Sequence, residues 1–212
     1  MSRFRRPAML SAEQAENIIG AEDPAATLHF ANTAARSLLG LADEDFTEDA
    51  IDHLVETITN SGVDVVADLW EDEPAFTLAG AFWRLYLFQQ WYRRDVETVA
   101  ERFNAGVAAL KQTGSAELVE NIQLSALDKE IDALFSAQLQ IAPTQWGKLA
   151  PLLTAVAAAM WALATGATYG SNWIESDRDE LATEVTRRAK ALTLTAKELK
   201  LAADRDLLGN LI

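Results

Sequence analysis

Residues 152–164 read Leu-Leu-Thr-Ala-Val-Ala-Ala-Ala-Met-Trp-Ala-Leu-Ala, and they lie inside a run of 26 residues, 149–174, that carries no charge. Such a run is long enough to cross a bilayer. Its content points to a buried helix instead. Alanine dominates, Pro151 interrupts the start, and Thr165, Gly166, Thr168 and Gly170 weaken the end. Only Lys148 offers a flanking positive anchor. Small side chains suit close helix packing. The expectation is a central apolar helix inside a soluble fold, with no membrane partner.

The rest of the chain extends this reading. It has 38 Ala and 28 Leu against 10 Gly and 5 Pro in 212 residues. A chain so rich in helix formers and so poor in turn formers reads as all-α. Half of its residues are apolar, enough for a sizeable core. No alternating Val/Ile/Thr-rich segment reads as a strand, and no repeat of solenoid length appears. The expected organisation is a flexible basic tail over 1–10, then a single all-helical domain of about eight or nine helices over 11–212. Arg3, Arg5 and Arg6 imitate the start of a signal peptide, but Glu13 and Glu16 stand where an apolar segment is required.

Helix punctuation places the elements. Ser11 caps a short helix closed by Gly20. Asp23-Pro24 starts a second, carrying Leu28, Ala31, Ala35 and Leu38 to Gly40. Thr47 caps a third that stops at Asn60-Ser61-Gly62, and a short helix follows over 63–70. The aromatic stretch 76–92 surrounds its axis with apolar residues and reads as buried on most sides. Asp95 caps the next helix, broken at Gly114. Ser115 is expected to start a long helix through Leu118, Ile122, Leu127, Ile131 and Phe135. Pro143 is expected to open the uncharged helix. Ser176 and Thr195 are expected to start two final helices, divided near 193–195.

Several chemistries are excluded. With no cysteine there are no disulfides, thiolate metal sites or thiol nucleophiles, which fits a reducing cytoplasm. The two histidines, His29 and His53, have Ala26 and Ala50 three residues before them, so no Glu-x-x-His pair can build a di-iron site. A calcium loop counted from Asp43 fails at Glu48 and Leu54. No phosphate-binding glycine loop or nucleophile elbow is present. No metal and no cofactor are expected.

Two constellations remain. The first is charge segregation in a chain of net charge −14: residues 37–83 carry 12 carboxylates and no Lys or Arg, while 174–212 balance 7 basic residues against 8 acidic ones. This either keeps the surface soluble or meets a basic protein partner. It disfavours nucleic acid. The second lies in 83–94, where Trp83, Arg84, Tyr86, Gln90 and Tyr92 are the candidate ligand-binding residues. Their rings and polar tips suit a pocket for a planar or acidic small molecule. The plainer reading is a core helix with Arg84 tied to an internal carboxylate and Arg93 and Arg94 serving the helix C-terminus.

The length and helical pattern resemble those of bacterial one-component regulators, which begin with a basic DNA-binding headpiece. Here that region is acidic, so the resemblance implies architecture alone. The function expected is therefore a non-catalytic cytoplasmic protein for protein–protein interaction or small-ligand binding. The rivals are a transcriptional regulator with a helical ligand-binding domain, whose DNA contacts would come from Arg187, Arg188, Lys190, Lys197 and Lys200, and an enzyme using His29 and a carboxylate. Six tryptophans, Trp70, Trp83, Trp91, Trp146, Trp161 and Trp173, exceed what one core of this size hides, which points to a homodimer.

Overall fold

The computed structural model describes residues 24–41, 48–136, 147–169 and 180–211. All regular structure among them is helical, with no strand. The helices are α1 (Pro24–Leu38), α2 (Glu48–Ser61), the one-turn α3 (Asp64–Ala67) running into a 3-10 turn (Asp68–Trp70), α4 (Leu78–Arg94), α5 (Val96–Gln112), α6 (Leu124–Phe135), α7 (Ala150–Tyr169) and α8 (Glu180–Leu207). Seven of these exceed one turn, against the eight or nine expected. The tail 1–10, the helix expected after Ser11, Pro143 and Ser176 lie outside the described residues.

α7 carries the uncharged run, and it packs chiefly on α8 and α5. The crossing with α5 is unusually close. A Cβ on Gly106 would lie 1.9 Å from the Ala162 carbonyl oxygen, and one on Gly166 would lie 1.9 Å from that of Arg102. Residue numbers rise on one helix as they fall on the other, so the two run antiparallel. Glycine at both positions is what lets the two backbones touch. α8 runs antiparallel along another side of α7, because its far end reaches the α7 N-terminus. There the buried Asp206 carboxylate accepts from the Leu149 and Ala150 backbone N–H groups at 2.9 and 2.7 Å. Those are donors that a helix start leaves without intrahelical partners, and an anion suits the helix dipole there.

The other half of the core is aromatic. The rings of Trp70, Phe82 and Phe135 contact one another pairwise at 5.6–5.9 Å. They join the 3-10 turn, α4 and α6. The buried indole of Trp70 also donates to the Ala31 carbonyl of α1 at 3.2 Å, which leaves no unsatisfied polar atom in that ring. Buried side chains form one continuous cluster from Ala31 to Ala203.

Three expected boundaries are corrected. Ser115 does not start a helix: after Gly114, at φ +70°, residues 115–123 form turns that bury Ala116 and Val119 and expose Leu118, and α6 begins only at Leu124. Hydrogen bonds from Val119 N–H and Glu120 N–H both end on the Ala116 carbonyl, an isolated turn that does not propagate. The uncharged helix starts at Ala150, after Gly147 at φ +78°, rather than at Pro143. The two final helices are one. Thr193 and Thr195 donate their hydroxyls back to the carbonyls of Ala189 and Ala191, so neither acts as a cap and α8 passes through them unbroken.

Replacing Gly106 with alanine tests the crossing. Intrinsic propensity alone would raise stability by up to about 1 kcal/mol. Overpacking is expected to win, lowering stability by about 1–3 kcal/mol in urea unfolding followed by circular dichroism.

Candidate functional site

α4 positions the candidate residues. Thr77 caps it by accepting from the Gly80 N–H at 3.0 Å, a cap not recognised in the sequence because the helix was expected to start at Phe76. Asp95 ends it and caps α5 by accepting from the Thr98 N–H, as expected. Phe82, Leu85 and Phe88 face the core. The polar side chains leave by different edges, each toward a different neighbour.

Arg84 makes the contact expected of it. Its Nε donates to Glu198 Oε2 of α8 at 2.7 Å, and its Nη1 donates to the Gly80 carbonyl at 2.7 Å and to the Glu73 carbonyl at 3.4 Å. The Glu73 backbone comes within reach because Gly80 has no Cβ, which would sit 2.1 Å from the Pro74 carbonyl oxygen. The pair is only partly buried, with 14 % of the Arg84 side chain and 27 % of Glu198 exposed. Arg84 is thus held by protein groups and ties α4 to α8. Gln89, fully buried, donates to the Asp128 carbonyl of α6 at 3.2 Å. Arg93 does more than serve a helix end: it bridges to Asp128 and Asp132 of α6, both at 2.6 Å.

Trp83, Tyr86 and Gln90 come together on the outer face of α4, three and four residues apart. The rings of Trp83 and Tyr86 stack at 5.5 Å with 24° between their planes. Asp64 of α3 accepts from the Tyr86 hydroxyl at 2.7 Å and from Gln90 Nε2 at 3.3 Å. Burial, then the hydrogen bond to Asp64 and the charges of Asp64 and Asp68, push the Tyr86 phenol up to about 12. Burial is the first cause, and the two carboxylates add to it in the same direction. Asp64 and Asp68 are both exposed. Tyr92 is not part of this group. It stacks on Phe88 and faces a separate cleft of about 370 Å³ with Phe103, Asn104 and Gln123. The five candidates therefore do not line one pocket.

Other expectations fall as follows. His29 and His53 are exposed on α1 and α2. No group of three or more metal-ligating side chains occurs among the described residues. Trp70 is buried, Trp83 and Trp91 are half-buried, Trp161 is exposed, and Trp146 and Trp173 lie outside the described residues. Arg188 is exposed, and the Arg187 side chain lies outside the described residues. The structure adds Asp64, Glu73, Glu198 and Asp206, which sequence reasoning missed. Asp64, Glu73 and Asp206 sit near other acidic residues and Glu198 between two lysines, and only the fold sets them apart. No protein-family model, curated protein or solved structure matches the chain.

Two predictions follow from these geometries. Arg84→Ala is expected to lower stability by about 1–3 kcal/mol in urea unfolding, the scale of charge-assisted hydrogen bonds at a partly exposed site rather than of a fully buried pair. The second concerns Glu73, which is 7 % exposed and has an oxygen with no hydrogen-bond partner among the described residues. Burial, with Asp72 second, raises its carboxyl above 4.5. A raised carboxyl favours the folded protein below the unfolded pKa, and that contribution is lost as pH rises from there through the folded pKa. Glu73→Gln should flatten that part of the pH–stability curve measured by thermal unfolding.

Proposed function

We propose that this chain is a non-catalytic cytoplasmic interaction protein whose α3–α4 face receives a cationic group from a basic protein segment. The observation that carries this reading is the stacked Trp83–Tyr86 pair set against Asp64. A ring face beside a carboxylate is a favourable place for a guanidinium or ammonium group. The charges of Asp64 and Asp68 near the Tyr86 phenol support it, as does the absence of any Lys or Arg from 37 to 83. Electrostatic attraction toward this face would raise the rate of encounter. The same chemistry would hold a small organic cation. It repels nucleic acid.

The burial of α7 supports its role as the central helix of a soluble fold. Among the described residues one window, 150–167, is long and apolar enough to cross a membrane, but 61 % of it is buried inside the protein. Neither rival function gains a specific observation. The unbroken α8 removes the short helix pair on which the regulator reading rested, and His29 stands exposed on α1.

Calorimetric titration with an Arg- and Lys-rich peptide, a Glu-rich peptide and tetramethylammonium tests the proposal. The basic peptide should bind, and more weakly at high salt. Trp83→Ala should weaken it roughly two- to thirtyfold, the range of a cation–π contact. A basic peptide that fails to bind, or binds Trp83→Ala equally well, would refute the reading. Binding of tetramethylammonium alone would assign the face to a small cation.

A further inference from the structure

We infer that the outer face of α7 is the surface through which two copies of this chain associate. The inference is independent of the cation-binding reading, since it uses a different face and a different chemistry.

The face holds both halves of a contact. One half is a groove of about 400 Å³ on the first turns of α7, floored by Thr154, Ala155 and Ala158 and walled by Leu118 and Leu207. The other is Trp161, 37 % exposed, one turn further along the same face. Two α7 helices laid antiparallel across a two-fold axis at Ala158 place these halves opposite each other. Trp161 stands three residues after the axis and Ala155 three before it, each about 4.5 Å away along the helix. The Trp161 ring of each copy then enters the groove of the other, over side chains too small to oppose it. The groove walls have apolar surface still to cover, with Leu118 68 % and Leu207 62 % exposed. A knob and its hole on one patch make that patch complementary to itself, as a two-fold interface requires.

Charge selects the same occupant. A chain of net charge −14 repels its own copy over most of its surface. The run 149–174 carries no charge, so α7 itself brings no carboxylate to a contact between two copies. A basic partner would find no carboxylate on the groove floor. Insertion into lipid would instead require α7 to leave the backbone contact of Gly106 with Ala162 and of Gly166 with Arg102.

The absence of cysteine gives a clean test. Sedimentation velocity of the wild-type chain should show a dimer at both low and high salt, since apolar burial is not screened. Ala158→Cys puts a thiol on the two-fold axis and should form a disulfide-linked dimer on mild oxidation, whereas Lys129→Cys on α6 should not. Trp161→Glu should give a monomer with unchanged circular dichroism, which keeps the test valid if the Ala158 variant folds poorly. A wild-type monomer at every attainable concentration, a Trp161→Glu variant that remains dimeric, or partition of the wild-type chain into phosphatidylcholine vesicles would each overturn the inference.

Discussion

Two helix backbones touch where Gly106 and Gly166 have no side chains, and much of the fold is arranged around that contact. It holds α7 against α5 closely enough to bury most of the apolar window 150–167, which would otherwise be a large apolar surface. With one side of α7 set by α5, α8 lies along another. Asp206 then fixes the register of α8 by taking the two free N–H groups at the α7 start. Glu198 stands eight residues before Asp206, two turns up the same helix, and this is what places it against Arg84 of α4. A glycine contact, a carboxylate cap and an ion pair thus form one chain of dependence from α5 to α4.

The sequence was legible where a residue acts through near neighbours. The helix start at Pro24, the Asp95 cap and the breaks at Gly40, Gly62 and Gly114 are local chemistry, and they fall where expected. The class of partner for Arg84 was also legible, since a guanidinium on an apolar helix requires an acceptor. The identity of that partner was not, because Glu198 lies 114 residues away, between Lys197 and Lys200, with nothing local to single it out. Gly106 and Gly166 each look like a weak point in a helix, and their joint role exists only once the helices cross. Thr195 shows why a hydroxyl is an ambiguous start signal. A hydroxyl beside apolar periodicity can cap a helix or bond back to its own turn, and tertiary packing decides which.

The candidate site was legible as a segment but not as a set. Residues 83–94 hold all five candidates on one helix, and a helix divides them by direction. Trp83, Tyr86 and Gln90 share the outer face, while Tyr92 points elsewhere. The acidic half of the group, Asp64, belongs to a one-turn helix whose pattern gave no sign that it would meet α4.

That division also shows which residues are left over for function. On α4, Phe82, Leu85 and Phe88 are committed to the core. Arg84 is committed to α8, and Gln89 and Arg93 to α6. Each anchor joins α4 to a neighbour and is explained by stability alone. Trp83 and Tyr86 are different: the hydrogen bond to Asp64 satisfies one hydroxyl, yet two stacked rings remain at the edge of an acidic surface. A surface needing only solubility is served by charge, and aromatic rings there add exposed apolar area. The inner parts of both rings pack against the core, and recognition of a cation is the chemistry that would use their remaining outer faces together with the charge.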